Sequence, residues 1–427
     1  MSTSYVDAAS AKPIAQPDEA AVGLSTHTIA RPGESPTAEE PTVASPSRGS
    51  DYAALGRKIR SARLLDRRPV SYAVRVAASL GLYAASWAAI IYIGNSWLQI
   101  VTAVVLGITF TQVAFLGHDS GHQQIFATRR ANDLFGRLVG NLLIGLSYGW
   151  WIGKHNRHHA NPNKEHHDPD IGDGVLAFTT EQVASRTGRL GRFITRRQAW
   201  LFFPLLTLEG LNLHLESVRF LRRHCDRSVR GGNPHIELLM LTAHTSAYVL
   251  GLLLVMSPLK ALTFIAIHQA VWGLYMGCSF APNHKGMPII GAHEKLDYLR
   301  RQVLTSRNVR GGWFTDLLLG GLNYQIEHHL FPNMPRASLR HAQHLIRSHC
   351  DNLGITYTES SLIGSYVAAL RHLNRLGKTA THLTGRKPIR ASRVRQASSK
   401  PSGIIGVKLR AGRGLPATAP GRGKRRR

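Results

Sequence analysis

Cysteine and acidic residues are scarce in this sequence of 427 residues, and each shortage excludes a class of protein. The three cysteines, Cys225, Cys278 and Cys350, are too few and too far apart for a disulfide framework or a CxxC metal knuckle. The first 30 residues lack a continuous apolar segment after a basic start, so no signal peptide is predicted. Only 25 Asp and Glu stand against 53 Lys and Arg, which gives a formal net charge of +28.

Half of this positive charge lies at the end of the chain. Residues 386–427 contain fourteen Lys and Arg and no Asp or Glu, whereas residues 1–50 are rich in Ser, Thr, Pro, Ala and Glu. Neither composition buries enough apolar surface to offset the entropy of ordering, so we predict disordered tails at 1–50 and 385–427. The basic tail and a pI near 10.9 also fit a different class, a nucleic-acid-binding protein. Such a protein would lose its function on truncation near residue 385, whereas a membrane enzyme would keep its activity.

Between the tails, residues 51–384 contain four long apolar runs with at most one charged residue each. Each run is long enough for a helix to cross about 30 Å of hydrocarbon, although a buried helix pair in a large soluble protein is the alternative. The predicted spans are 70–93, 97–117, 236–256 and 259–281. Turns of two or three residues join them in pairs, so we predict an all-α membrane protein with four transmembrane helices in two hairpins. The weaker apolar stretch 134–151 predicts an interfacial or re-entrant helix rather than a fifth span.

Basic residues precede the first span and are missing from both short turns. Residues 51–69 contain six Lys and Arg, and Lys260 is the basic residue near a turn. The positive-inside rule then places both termini and the loop 118–235 in the cytoplasm. We therefore predict a multi-pass integral membrane protein whose helical cap lies on the cytoplasmic side.

Eight histidines follow a spacing that suits a metal site. HDSGH follows the second span, HNRHH follows the stretch 134–151, QIEHH begins at Gln325, and a single histidine follows the fourth span. Residues at i, i+3 and i+4 share one helix face, so each box directs its rings to one side. The eight rings belong to His118, His122, His155, His158, His159, His284, His328 and His329. Eight exceed the ligands of one zinc site, which argues for two metal ions, although imidazole alone does not choose among zinc, copper, iron and nickel.

The predicted topology puts all eight histidines on the cytoplasmic side, where the cap would hold them together. Each box alone is explained as well by an ordinary surface pair, and His284 by a structural role, but the joint pattern favours a metal centre. Other histidines lack a partner pattern and are predicted to be structural or solvated: His166, His167, His244, His268, His341, His344 and His349.

HDSGH, HNRHH and QIEHH in this order, with the second hairpin between the last two, resemble the integral-membrane fatty acid desaturase family over residues 60–350. The resemblance implies a non-haem di-iron centre that activates O2 and removes two hydrogens from adjacent carbons of a long acyl chain. It makes the seven box histidines iron ligands and His284 an additional ligand. Gln325 stands where the family usually has His, a pattern similar to front-end and some bacterial acyl-CoA desaturases. Gln325 is therefore a candidate ligand, directly or through water.

Further residues receive candidate roles from their positions beside the boxes. Asp119 and Glu327 are candidates to accept a hydrogen bond from a liganding ring, or are simply solvated charges. Trp150 and Trp151 would line the acyl channel or anchor the chain at the membrane interface. Four arginines are candidates for binding the phosphates of a CoA thioester or of lipid headgroups: Arg300, Arg301, Arg307 and Arg310. The ordinary positive-inside bias explains them equally well.

The source of electrons is the last prediction. The sequence contains no HPGG haem motif, no CxxC cluster motif and no credible nucleotide-binding fold. We therefore predict a separate ferredoxin or flavoprotein reductase that draws on NAD(P)H. The substrate is predicted to be a long-chain acyl-CoA or acyl-lipid. No specific nucleic acid is predicted to bind. A hydroxylase or a sphingolipid desaturase on the same scaffold stays open, because the boxes do not specify where the radical goes or where a double bond forms.

Overall fold

The computed structural model describes residues 50–224 and 233–385. The tails predicted over 1–50 and 385–427 lie outside the described residues except for Ser50 and Gly385, and so does Cys225. The described chain is mostly helical. Its α-helices are α1 Asp51–Ser61, α2 Pro69–Ile93, α3 Gln99–Gly121, α4 Arg129–Arg137, α5 Tyr148–Ala160, α6 Thr180–Ser185, α7 Arg189–Leu206, α8 Glu209–Arg223, α9 Pro234–Val255, α10 Pro258–His284, α11 Tyr298–Leu304, α12 Trp313–Leu318, α13 Gln325–Leu330, α14 Arg336–Asn352 and α15 Leu362–Gly385.

Four of these helices are long and apolar enough to cross a membrane, within the part of the chain that the structure describes: α2, α3, α9 and α10. Their 22 to 27 residues agree with the predicted spans to within a few positions. Local sequence sets their ends. Pro occupies the first turn of α2, α9 and α10, where its missing N–H costs nothing. Gly94, with φ of +63°, ends α2.

Helices α3 and α10 form the centre of the apolar bundle. In α3, 67% of the most apolar segment is buried, against 11% in α2, which places α2 at the periphery. Gly107 allows the close approach of α10, because an added Cβ there would lie 2.9 Å from Cγ1 of Val271. Phe110 and Trp272 are fully buried, with ring centroids 5.6 Å apart. This packing fixes the two helices whose final turns carry the first histidine box and His284.

The stretch 134–151 is not among the candidate membrane spans of the described residues, as predicted, but it is divided between two helical segments rather than being one helix. Helix α4 ends at Arg137, a π-helical turn covers Leu138–Leu143, and α5 starts at Tyr148. Gly145 causes the break: its φ is +67°, and an added Cβ would lie 2.5 Å from Cδ2 of His244. The chain therefore re-enters the bundle at Gly145 before α5 begins.

A second apolar core joins α1, α11, α13 and α14, and it positions the third histidine box. Its buried side chains include Leu55, Val303, Ile326 and Leu339. All six residues of α13 are buried, although one helical turn would be marginal on its own. Strands β1 Asn308–Arg310 and β2 Glu359–Ser361 pair in parallel next to this core. Tertiary packing, rather than helix propensity, therefore holds the QIEHH segment.

Candidate metal centre

The eight predicted histidines meet in one buried cluster, which we call the convergent cluster. Its rings come from the end of α3, from α5, from the last residue of α10 and from α13. Two sets have ring nitrogens within 4.8 Å of one another: His118, His122, His155 and His328 in one, and His158, His284 and His329 in the other. His159 lies between the sets, with its Nε2 3.1 Å from Nε2 of both His155 and His328 and its ring stacked on His329 at 4.2 Å.

The first set is held by the last turn of α3 and by α5. Nε2 of His122 lies 2.8 Å from Nε2 of His155. Nδ1 of His118 lies 3.3 Å from Oδ1 of Asp119, and its Nε2 is buried without a hydrogen-bond partner among the described residues. A buried ring nitrogen without a partner costs free energy unless something binds it. The set therefore suits a cation among its rings.

The second set shows which ring atoms carry protons. Nδ1 of His158 lies 3.0 Å from Oδ1 of Asp168, and Nδ1 of His284 lies 3.0 Å from the carbonyl oxygen of Thr305. Nδ1 of His329 lies 2.9 Å from Oε1 of Gln302, whose amide nitrogen donates to the carbonyl oxygen of His159. These oxygens only accept, so each Nδ1 must donate its proton and each neutral ring keeps a lone pair on Nε2.

Those three lone pairs point at one another. Nε2 of His284 is 3.3 Å from Nε2 of His158 and 3.1 Å from Nε2 of His329. Lone pairs at such distances repel unless a cation lies between them or a proton bridges them, and the amide N–H of Gln325 reaches Nε2 of His284 at 2.9 Å. Three neutral imidazoles with carboxylate, amide and carbonyl partners behind them are the donor set that transition metals bind. The residues present therefore fit a metal ion.

Burial keeps most of the cluster neutral. It lowers the pKa of His155, His159, His328 and His329 well below 6.5, and the neighbouring imidazoles lower these values further. His158 differs: burial lowers its pKa, but the carboxylates of Asp170 and Asp168 outweigh burial and raise the value overall. Because metals bind the neutral ring, the low pKa values leave the cluster ready for a metal at neutral pH.

Comparison with known proteins gives the family. The fatty acid desaturase family model matches residues 95–361, which is more than half of the chain. The chain belongs to the fatty acid desaturase family. It is 29% identical over 315 residues to a Delta(8)-fatty-acid desaturase of Helianthus annuus, covering 70% of this chain and 67% of that protein.

The chain is also similar to desaturases from a moss and from a mammal. An acyl-lipid (9-3)-desaturase of Physcomitrium patens is 28% identical over 319 residues, 72% of this chain and 59% of that protein. Fatty acid desaturase 3 of Bos taurus is 29% identical over 355 residues, 79% of this chain and 76% of that protein. The matched part thus covers less than two thirds of the moss protein.

In this member of the desaturase family the two predicted supporting carboxylates lie in different surroundings. Asp119 is next to His118 and forms a buried ion pair with Arg336, Nη2 to Oδ2, at 2.6 Å. Glu327 instead accepts from Nδ2 of Asn308 at 2.7 Å and from the hydroxyl of Tyr357 at 2.5 Å. Within the described residues Glu327 contacts no histidine nitrogen, because α13 turns its carboxylate towards β1. The contact predicted between Glu327 and a ring is therefore not present.

Three partners of the cluster escaped the sequence reasoning: Asp168, Gln302 and the carbonyl of Thr305. Asp168 also accepts from the backbone N–H of Asn163 at 2.7 Å, which fixes its carboxylate behind His158. A visible signal was the acidic pair Asp168 and Asp170 soon after the second box. Gln302 and Thr305 carried no signal, because they reach the cluster only through the packing of α11 on α13.

Gln325 lies at the edge of the second set. Its Nε2 is 2.9 Å from Nε2 of His284, and its Oε1 accepts from Nδ2 of Asn283 at 3.1 Å. The side chain therefore directs an amide N–H, rather than its oxygen, at the ring nitrogens. A switch to an oxygen ligand needs the amide groups of Gln325 and Asn283 to turn together, since the two are hydrogen-bonded.

The two tryptophans before the second box differ in position. The ring of Trp151 stacks on His155 at 4.5 Å and lines a small apolar cavity that His118 also lines. Trp150 packs against the apolar core of the bundle and does not line this cavity. Phe115 and Ile144 add to the cavity wall. The cavity therefore runs from apolar side chains to the first set of histidines.

Two histidines predicted to be structural belong to a separate buried group within the bundle, which we call the inner group: His214, His244 and His268. Nδ1 of His214 donates to the carbonyl of Gly145 at 2.7 Å, and Nδ1 of His244 to that of Leu142 at 2.9 Å. Nδ1 of His268 lies 2.8 Å from the hydroxyl of Tyr248. Among the described residues the inner group is not part of any set of three ligand atoms within 4.8 Å.

Proposed function

We propose that the chain is an O2-dependent fatty acyl desaturase that introduces a cis double bond into a long-chain acyl group. The observation that carries this proposal is the convergence of three Nε2 lone pairs in the second set, beside a family match that covers the same residues. The reaction balances as the loss of two hydrogens from adjacent carbons while O2, two protons and two electrons form two molecules of water.

The convergent cluster would hold two iron ions. The first set, His118, His122, His155 and His328, would hold one, and His158, His284 and His329 would hold the other, with His159 between them and Gln325 at the edge. When bound, the irons supply the oxidising power that no side chain has, since an unactivated C–H bond must break. Nε2 is the ligand atom in the second set, because the protein holds the Nδ1 protons there.

The remaining residues position these groups. Asp168, Gln302 and the carbonyl of Thr305 each fix one ring by its Nδ1, so the Nε2 atoms keep their direction. The cavity beside His118 would take methylene groups of the acyl chain, with Phe115 and Trp151 as walls that exclude water. Rigid walls hold the two reacting carbons in one place, which is the main contribution that the protein makes to the reaction.

The membrane topology is the second part of the proposal. Lys260 Nζ donates to the carbonyl of Asn95 at 2.8 Å, and the N–H of Ser257 donates to Oδ1 of Asn95 at 3.0 Å. These contacts bring the two short turns together, which supports two hairpins with both turns on one side of the membrane. The convergent cluster follows the opposite ends of α3 and α10. By the positive-inside rule that side, with both termini and the helical cap, is cytoplasmic.

Electrons and substrate complete the proposal. Two electrons per turnover would come from a separate ferredoxin or flavoprotein reductase that draws on NAD(P)H. The substrate would be a long-chain acyl-CoA or acyl-lipid. Purified chain with NADPH and O2 alone should form no unsaturated product, and adding a ferredoxin with its reductase should start the reaction. Product formed without a reductase would contradict a separate electron donor.

The central experiment is expression in a desaturase-deficient host, followed by mass spectrometry of derivatised fatty acids and by iron analysis of the purified chain. We expect unsaturated products, which are lighter than the substrate by two hydrogens, and two iron ions per chain. The His158→Ala variant should form no product. Products heavier by one oxygen would identify a hydroxylase instead, and full activity of the His158→Ala variant would exclude this metal site.

A further inference from the structure

One arginine inside the apolar bundle takes part in no ion-pair contact in the part of the chain that the structure describes. The four apolar helices contain four charged residues besides histidine: Arg75, Asp119, Glu237 and Lys260. Asp119 pairs with Arg336, Glu237 accepts from Ser147 Oγ at 2.7 Å, and Lys260 donates to Asn95. Arg75 forms no ion pair within the described residues, and its hydrogen bond, at 3.5 Å, is to Ser71 on its own helix. A charge in a membrane helix is costly, so an unpaired one indicates a functional partner.

Arg75 is half-buried on the face of α2 that packs against the start of α14. Arg68, Tyr72 and Arg75 share this face by their helical spacing. The hydroxyl of Tyr72 donates to Gln124 at 2.5 Å and accepts from the N–H of Arg336 at 3.3 Å, and Nε of Arg68 lies 3.4 Å from Oγ of Ser338. These contacts turn Arg75 towards the protein rather than away from it.

The charges around Arg75 are balanced, because two carboxylates and one other guanidinium act on it. The charged groups that act on it electrostatically are Arg336, Asp119 and Asp316. Asp119 is already paired with Arg336, and Oδ1 of Asp316 accepts from the side chain of Asn323 at 2.8 Å. Arg336 is buried, and its Nε has no hydrogen-bond partner among the described residues. The site thus has unused guanidinium donors, which is the chemistry that binds a phosphate.

The apolar cavity lies next to Arg336. The guanidinium carbon of Arg336 lies 5.6 Å from the ring centroid of Phe115, and Phe115 lines the cavity that also contains His118. An acyl chain with an anionic carrier has the same two-part character, an apolar tail and a charged head. The geometry therefore places a head site and a tail site next to each other, with one aromatic ring between them.

Two arginines that the sequence suggested for phosphates are occupied by other partners. Arg307 is buried and donates to the carbonyls of Pro282, Lys285 and Ser365, so it serves the end of α10. Arg300 pairs with Asp51 at 3.0 Å and with Asp297 at 2.9 Å. The charge of Arg300 is thus matched by two carboxylates, and the guanidinium of Arg307 is used by backbone carbonyls.

We propose that Arg75, with Arg336 behind it, binds a phosphate of the acyl carrier while the acyl chain enters the cavity at Phe115. This inference rests on the proposed desaturase function and deepens it by naming the group that anchors the substrate. The phosphate belongs either to CoA or to a phospholipid headgroup, and the two sources share the chemistry that Arg75 would recognise.

The test measures equilibrium binding of three ligands to the full-length, iron-loaded chain in detergent: stearoyl-CoA, stearoyl-lysophosphatidylcholine and methyl stearate. The Arg75→Gln variant should weaken binding of at least one phosphate ligand by about tenfold or more, since a charge-assisted hydrogen bond is lost. Methyl stearate has no anionic group, and its affinity should not change. Weaker binding of stearoyl-CoA alone would identify CoA as the carrier. Weaker binding of the lysolipid alone would identify a lipid headgroup.

Two further variants keep the test decisive. Arg75→Lys retains the charge and should keep most of the affinity, which separates phosphate binding from misfolding. Arg371→Gln removes an exposed arginine of α15 and should bind all three ligands as the wild type does. Unchanged binding of both phosphate ligands by Arg75→Gln, equal weakening of methyl stearate binding, or a larger effect of Arg371→Gln would overturn the proposal. Iron content and unsaturated product are measured separately, so failure of the desaturase function would show there and not in the binding data.

Discussion

Two groups of buried histidines share the helix α10, and only one of them has the geometry of a metal centre. The convergent cluster includes His284 at the end of α10, and the inner group includes His268, sixteen residues earlier. In both groups, Nδ1 atoms are held by oxygen atoms of the protein. In the convergent cluster the Nε2 atoms approach within 3.3 Å of one another. In the inner group, Nε2 of His214 faces the amide nitrogen of Gln269 at 3.3 Å instead.

The difference teaches that burial and a hydrogen bond at Nδ1 do not make a histidine a ligand. Nε2 of His268, like that of His118, is buried without a hydrogen-bond partner among the described residues, but the ring of Phe110 lies 4.4 Å from His268 and 6.1 Å from His244. In the convergent cluster the rings face other rings, as His159 and His329 do at 4.2 Å. What distinguishes the convergent cluster is therefore that its ring nitrogens face one another, at 3.1 Å and 3.3 Å in the second set.

The sharpest way to break this comparison is to remove one histidine of α10 from each group. His284→Ala should lower the iron content from two to about one ion per chain and abolish desaturation, because the second set keeps only two rings. His268→Ala should keep the iron and the activity and lower the free energy of unfolding by about 2 kcal/mol, since Tyr248 loses its partner. Iron analysis and product mass spectrometry check both variants. Loss of iron in His268→Ala would contradict the distinction.

The next effect concerns the carboxylate behind His158. Asp168→Asn should weaken iron binding by about 10- to 100-fold, because Asp168 serves three donors and the amide has one acceptor fewer. Competition with a chelator measures the affinity. Asp173→Asn, an exposed carboxylate five residues later, is the matched control and should bind iron as the wild type does. Equal affinity of the two variants would show that Asp168 does not position His158.

A smaller effect is expected at Glu327, where sequence reasoning and structure disagree. Glu327→Gln should lower the free energy of unfolding by about 1–3 kcal/mol, because the new amide meets the N–H of Asn308 donor to donor. Iron content should stay at its wild-type value, since Glu327 serves Asn308 and Tyr357. Thermal unfolding and iron analysis separate the two outcomes. A loss of iron with unchanged stability would restore Glu327 to the metal centre.

The smallest expected effect is that of acidification on the stability of the metal-free protein. It is absent at neutral pH and grows only below about pH 6.5. Burial lowers the pKa of His155, His159, His328 and His329, so the unfolded chain binds more protons than the folded chain in that range. The metal-free protein should therefore lose stability as the pH falls, and the raised pKa of His158 offsets only part of the loss. Unfolding temperatures measured in detergent from about pH 7.5 to about pH 5.5 test this sign. Constant or rising stability on acidification would contradict it.

The sequence predicted the parts of the molecule that depend on local pattern. The four apolar runs ended at Gly or began at Pro, so α2 and α10 were located to within a few residues. The box histidines were found because their spacing is helical. Orientation was harder: Asp119 and Glu327 both stand next to a box histidine, but one lies beside His118 and the other turns to β1. One residue of helix rotates a side chain by about 100°, and packing decides which neighbour it meets.

Contacts between distant segments could not be predicted from one sequence. Gln302 reaches His329 across 27 residues, and the carbonyl of Thr305 reaches His284 across 21. His214 joined the inner group for the same reason, because α8 packs on α10 next to Trp272. A backbone carbonyl carries no residue-specific signal at all. These partners emerge only once the second apolar core has placed α11 and α13.

The scattered origin of the convergent cluster has a consequence for how the cell makes this protein. Its rings come from segments that begin at His118 and end at His329, so the second set does not exist until the ribosome has passed residue 329. A finished chain would then contain facing lone pairs at its centre until the proposed metal binds, which would lower its stability relative to the loaded form. We therefore expect newly made chains to be most exposed to proteolysis before they bind metal.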